Sequence, residues 1–246
     1  MKKSAIALLI TSALAAPAVF ANTFTNGGFE NGTTSGWIGG GGSYNGSSNV
    51  SDFNGGTPNN TIVTSGIDAY GVSRTYNGSY AVRVNDDRND YSVSTIRQTV
   101  TNYTDNAIYF AWNAVLEGSH TSVPDYFALT LTDETTGQVL VTRTYSDQSA
   151  VGVFTDLGNG WYSSGWRVET IDLTTAGANN TSIVGDDITL ALLASDCGWG
   201  GHAGYVYLDG FGGTRPTQDN GVPVPATLAL MGVGLTGLAA ARRRKA

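Results

Sequence analysis

Hydrophobic and polar positions alternate along most of this chain in short runs, and no window sustains the apolar period of a helix. Residues 79–84 show the pattern: Tyr80, Val82 and Val84 share one face, because strand side chains point alternately up and down. Runs rich in β-branched and aromatic residues recur at 93–100, 108–116, 126–132, 138–145, 166–173, 187–194 and 204–209. Turn-forming clusters separate them: Asn77-Gly78, residues 85–90, 117–124 and 133–137, and Gly158-Asn159-Gly160. Roughly eight to ten strands of this kind predict an all-β body, a two-sheet jelly-roll β-sandwich. Residues 39–56 are the one low-complexity stretch and read as a long surface loop. There is no internal repeat and no second domain in the pattern.

Both ends depart from it. Lys2 and Lys3 precede an apolar stretch at 5–14, and small residues lead to Val19-Phe20-Ala21, so residues 1–21 read as a cleavable secretory signal peptide. At the other end Val222, Pro223, Val224, Pro225 and Ala226 open an apolar run to Ala241, followed by Arg242, Arg243, Arg244 and Lys245. As a helix, residues 226–241 would span about 24 Å, a little short of a usual bilayer crossing. The basic cluster suits a cytoplasmic end.

This three-part tail resembles the PEP-CTERM sorting signal of Gram-negative bacteria, with Val224 where that family most often carries Glu. The resemblance implies export by the Sec machinery and transient insertion of a single transmembrane helix into the inner membrane. Recognition and cleavage by an exosortase near Pro223 would follow, then delivery to the cell surface or extracellular matrix. A retained C-terminal anchor is the alternative. The chain then divides into a signal peptide at 1–21, a β-sandwich domain at 22–214, a linker at 215–221 and the sorting signal at 222–246.

Processing changes the electrostatics. Both removed segments carry basic residues and no acidic ones, leaving seven arginines against 20 acidic residues, a net charge of −13 in place of −7. Such a surface repels phosphate backbones, which argues against nucleic-acid partners. It attracts divalent cations and tolerates a hydrated polysaccharide, or simply keeps the protein soluble. Cys197 is the sole cysteine, so no internal disulfide forms and burial of the thiol is expected.

Two motifs near the ends of the body are more specific. Asn26-Gly27-Gly28-Phe29-Glu30-Asn31-Gly32 is followed by Gly36-Trp37, and Gly204-Tyr205-Val206-Tyr207-Leu208-Asp209-Gly210 closes the strand series. The pairing resembles galactose-binding-domain-like β-sandwiches, including carbohydrate-binding modules with an Asn-x-x-Phe-Glu opening and a terminal Tyr-x-Asp strand. The resemblance implies neighbouring first and last strands and a structural calcium held by Glu30, Asp209 and backbone carbonyls. Hard oxygen ligands suit calcium, and Gly27, Gly28 and Gly32 would let the backbone wrap it. The alternative is that both acids are exposed strand-end carboxylates.

A second constellation is Asp196-Cys197-Gly198-Trp199-Gly200-Gly201-His202, with His120 on an earlier loop. His120, Cys197 and His202 could together hold a transition metal if the loops meet. Otherwise the thiol is buried and the histidines bond backbone. Catalytic signatures are missing: there is no nucleophile elbow, zinc-protease helix or Walker loop. Glu169 and Asp172 have the wrong parity to share a strand face. Sugar binding needs aromatic platforms flanked by polar side chains, and Trp161, Tyr162, Trp199 and Tyr205 are the residues for that role. The expectation is a non-catalytic surface or matrix protein that binds carbohydrate or exopolysaccharide. The rivals are a purely structural or adhesive protein and a cryptic glycan hydrolase.

Overall fold

A computed structural model describes residues 23–118, 123–146 and 152–218. The expected signal peptide and sorting tail lie outside the described residues. Twelve strands form within them: β1 (Ile38–Ser43), β2 (Thr61–Thr64), β3 (Tyr80–Val84), β4 (Ser92–Val100), β5 (Ala107–Glu117) and β6 (Tyr126–Asp133) come first. β7 (Gln138–Ser146), β8 (Thr155–Gly158), β9 (Trp161–Ser163), β10 (Arg167–Asp172), β11 (Ile188–Ser195) and β12 (Gly204–Gly212) follow. They build two sheets, one ordered β1-β4-β11-β6-β7 and the other β2-β3-β12-β5-β9-β8, with β10 also against β5. Every pairing among them is antiparallel.

The alternation seen in the sequence builds the core. Val82, Val84, Phe110, Trp112, Val206 and Leu208 from one sheet meet Ile96, Phe127, Leu129, Leu131, Leu190 and Leu192 from the other, all essentially without exposure. Each such side chain contributes about 1.5–3 kcal/mol when fully buried. Phe24, Trp37 and Phe211 close one end with rings 5.2–6.1 Å apart. Across the gap between the sheets, Arg143 of β7 donates through Nε and Nη2 to both carboxylate oxygens of Glu169 on β10, at 2.8 and 2.7 Å. The Trp112 indole donates to the same carboxylate. This two-point pair joins the sheets where β7 and β10 face each other.

Both sheets are also partly covered on their outer faces. Tyr44 and Phe53 pack over Val93, Ala128 and Leu193 on the first sheet. On the second, Val72 and Tyr70 pack over Val115, Trp161, Tyr205 and Tyr207, with Leu157 beside them. These covering segments correct the sequence reading. Residues 39–56 are not one long loop, since their first part is the main portion of β1, paired in register with β4 from Ile38↔Arg97 to Ser43↔Ser92. Glycine hides this strand from a hydrophobicity pattern, yet the fold needs it. A Cβ at Gly40 would overlap the Phe53 carbonyl, and one at Gly41 would sit 2.8 Å from the Val93 oxygen and 2.9 Å from that of Thr57.

That crowding gives a test. Gly40→Ala is expected to cost about 1–3 kcal/mol of unfolding free energy through overpacking. Gly55→Ala, which meets nothing within 4 Å, is expected to stay within about 0.5 kcal/mol. Denaturant unfolding of the two variants checks the difference.

Candidate functional site

The two end motifs meet. Residues 26–32 form turns rather than a first strand, a difference from the expected side-by-side strands, but they lie against the end of β12 through the Phe211 amide donating to the Gly27 oxygen at 3.1 Å. The turn after Tyr76 then serves both carboxylates with successive amides. Tyr76 and Asn77 donate to Asp209 Oδ2 at 2.9 and 3.0 Å, while Ser79 and Tyr80 donate to Glu30 at 3.0 Å. Gly28 lies between: a Cβ there would be 3.6 Å from Glu30 Cγ and 3.9 Å from Asp209 Oδ1. Gly78 has φ +72, and a Cβ on it would collide with the Glu30 carboxylate.

Asp209 is 1% exposed, and Glu30 is exposed. Burial pushes the Asp209 carboxyl up to about 7, with the Glu30 charge adding to the shift and the amides of Asn77, Tyr76 and Gly210 opposing it. Two carboxylates flanking one glycine, one of them reluctant to ionise, are a donor set that a hard divalent cation would relieve.

The aromatic residues separate into two groups. Trp161 is 6% exposed and Tyr205 1%, so neither offers a free face. Trp161 follows a turn, as the sequence shows, but that turn closes the β8–β9 hairpin and folds the indole under Tyr70 at 4.1 Å. Tyr205 points outward from β12 beneath the 65–76 segment, where its hydroxyl and that of Tyr207 donate to Asp68 Oδ2 at 2.7 and 3.1 Å. Burial first, with Asp68 alongside, raises both phenols, which therefore remain neutral donors. Tyr162 is half-buried. Trp199 is 68% exposed at the tip of the 196–203 loop, near exposed Tyr91, whose hydroxyl lies 2.6 Å from the Cβ position of Gly200.

Between the 71–73 segment, the β8–β9 hairpin and Trp166 lies an open cleft of about 250 Å³ lined by Ser73, Asn113, Thr155, Ser163 and Trp166, among others. Trp166 is half-buried, and its indole donates to the Ser73 carbonyl at 3.0 Å while Tyr76 packs beside it. Asn113 is held through Oδ1, which accepts from the Ser163 hydroxyl at 2.8 Å and from Ser164 at 3.4 Å. Asn113 is only 2% exposed, and its amide nitrogen has no partner among the described residues. A fixed aromatic, a fixed amide donor and several hydroxyls are what a sugar-sized cleft requires. Alternation puts Asn113 on the face of β5 opposite Trp112, but only the packing of the 71–73 segment and Trp166 shows that a cleft lies there.

Cys197 is fully buried and its amide donates to the His202 carbonyl at 3.0 Å. His120 lies outside the described residues, and among those described no three His, Cys, Asp or Glu side chains are grouped to hold a metal. Nearby Asp196 is fully buried and accepts from the amides of Asp90 and Ser92 and from Asn85 Nδ2. Burial pushes it up to about 7.

Comparison with known proteins adds the following. Residues 221–245 match the PEP-CTERM protein-sorting motif. No curated protein matches the chain in sequence. Among solved structures, the chain is similar to TmCBM61 in complex with β-1,4-galactotriose, with TM-score 0.44 and 15% identity over 78% of this chain and 96% of that one. It is similar to CBM28, a carbohydrate-binding module specific for non-crystalline cellulose, with TM-score 0.39 and 16% identity over 78% and 94%. It is also similar to the enzymatically active domain of bacteriophage CBA120 tailspike protein 4, with TM-score 0.40 and 9% identity over 78% and 21%.

The two raised carboxyls set a pH dependence. An unfolded Asp titrates near 3.9, so in the absence of divalent cations folding binds protons between that value and about 7. Both groups therefore contribute stability at low pH, and that stability is lost as pH rises through 7. Thermal unfolding in chelator should show a falling melting temperature from pH 5 to 8. Asp209→Asn should remove about one proton from that linkage. An unchanged slope in the variant would contradict the assignment.

Proposed function

We propose that this protein is exported through its signal peptide and sorted by an exosortase at its PEP-CTERM tail. It then acts at the cell surface or in the extracellular matrix as a non-catalytic, jelly-roll carbohydrate-binding protein. The observation that carries the binding reading is the Trp166 cleft, where a half-buried indole and the exposed residues Ser73 and Thr155 line one open space with the buried Asn113 at its floor. The indole would stack on the C–H face of a sugar ring, and Asn113, Ser73 and Thr155 would satisfy its hydroxyls. A non-catalytic role fits the acid pair at Glu30 and Asp209, since Asp209 is too buried to reach a substrate. Burial of Trp161 and Tyr205 favours a second reading, a structural or adhesive protein without a sugar ligand.

Calcium at Glu30 and Asp209 belongs to the same proposal. It would tie the opening turns, the 76–80 turn and the end of β12 together, and would favour ionised Asp209 at neutral pH. Calcium should raise the melting temperature at pH 7.5, and Asp209→Asn should abolish the rise while Asp196→Asn keeps it. Equal calcium responses in all three proteins would rule out this location.

The binding reading is tested by probing the full chain, in mild detergent, against an array of neutral glycans and titrating the best ligand. Trp166→Ala should weaken binding at least tenfold, about 1.4 kcal/mol, with Trp199→Ala close to wild type. The reverse ranking would move the site to the 196–203 loop. A silent array would leave the structural reading in place.

A further inference from the structure

The outer face of the first sheet carries a second depression, opposite in chemistry to the Trp166 cleft. It has a volume of about 330 Å³, a floor from β4, β11 and β6, and one wall from residues 48–54. Register explains its shape. Arg97, Ala191 and Thr130 stand in one row across the three strands, since Ala191 pairs with both neighbours. At about 4.8 Å per strand, Arg97 and Thr130 are roughly 10 Å apart, and the small Ala191 between them makes a trough. Ala128 and Thr132 extend it along β6.

No aromatic side chain lines this trough. Stacking is therefore unavailable, and a neutral sugar would exchange its water bonds for protein bonds at a net gain of only about 0.5–1.5 kcal/mol each. What the trough offers is donors. Arg97 is half-buried and makes no hydrogen bond or ion pair among the described residues, in contrast to Arg143 with Glu169 and Arg167 with two backbone carbonyls. The hydroxyls of Thr130 and Thr132 likewise bond to nothing described. At the wall, Asn49 Oδ1 accepts from the Ser51 amide and hydroxyl, which fixes the side chain and leaves Nδ2 to a ligand.

An unused guanidinium matches a carboxylate through two parallel bonds, roughly twice as strong as neutral ones. Glu134 is the one carboxylate on the rim. It sits just past the end of β6, four residues from Thr130 and so up to roughly 13 Å away, which leaves the anionic group to the Arg97 end.

We propose that this trough is a second glycan site that takes a carboxylate-bearing sugar, with the uronate carboxylate on Arg97 and neighbouring hydroxyls on Thr130, Thr132 and Asn49. It rests on the reading of the protein as an exported polysaccharide binder but uses a different face and different forces. The acidic body repels a polyanion at a distance, and about 0.15 M salt screens that repulsion beyond about 8 Å. A polyuronate can therefore approach, and the local Arg97 contact decides whether it stays.

The test measures binding of the full chain, in mild detergent, to polygalacturonate and to the same polymer after carboxyl reduction. It uses about 0.15 M salt with chelator present, so that divalent bridging cannot imitate the site. Binding to the acidic polymer is expected, with at least a tenfold loss on carboxyl reduction and a similar loss in Arg97→Gln. The melting temperature of Arg97→Gln should stay within a few degrees of wild type, because the side chain makes no hydrogen bond or ion pair among the described residues. Trp166→Ala should leave polygalacturonate binding intact. Equal binding by Arg97→Gln, equal binding to the reduced polymer, or no binding at all would overturn the proposal. Loss in Trp166→Ala alone would overturn it too, by placing the polymer in the other cleft. Acidic-polymer binding that depends on Arg97, together with a silent neutral array, would instead remove the Trp166 reading and keep this one.

Discussion

The structure depends on the burial of β12 on both faces. Its inner side chains, Val206 and Leu208, are core residues, and its outer ones, Tyr205, Tyr207 and Asp209, are equally shielded. Outward polar groups removed from water must find partners inside the protein. Asp68 answers the two phenols and the amides of Tyr76 and Asn77 answer Asp209. Those bonds draw the 65–80 chain across the sheet, and Trp166 comes to rest on that cover through Ser73 and Tyr76. The sugar-sized cleft is a by-product of satisfying one strand.

The same junction organises the ends of the body. The opening turns, the 76–80 turn and the end of β12 converge on Glu30 and Asp209, and Asn77 also donates to the Thr217 carbonyl at 2.7 Å. Only four residues separate Thr217 from the start of the Val222–Ala226 motif, a reach of about 18 Å at most for five extended steps.

The two depressions differ because the two outer faces are built differently. The second sheet is roofed by aromatic residues and gives a cleft with a ring and an amide. The first is floored by Ala, Thr and Arg and gives a trough of donors. They lie on opposite outer faces of the sandwich, so a ligand in one does not exclude a ligand in the other. Burying Asp196 and Asp209 costs stability at neutral pH, and each carboxylate holds neighbouring loops through their amides.

Period-two alternation by itself determined the all-β body and eight of its strands within a few residues, because each buries one clear face between the sheets. Local composition and order marked the sorting tail, and a resemblance to galactose-binding-domain-like sandwiches implied the pairing of the Glu30 and Asp209 motifs; alternation supplied neither. It could not find β1, because a strand of glycines has no side chains to alternate, and what requires glycine there is the Phe53 carbonyl from another segment. It could not tell that Trp161 and Tyr205 are covered while Trp166 and Asn113 line a cleft. Exposure on an outer sheet face depends on which loop crosses it, and that is set by bonds from residues as distant as Asp68. Arg97 was one arginine among several until strand register set it beside Ala191, with no hydrogen bond or ion pair among the described residues. Sequence fixes what each residue can offer, and tertiary packing decides which offers are already taken.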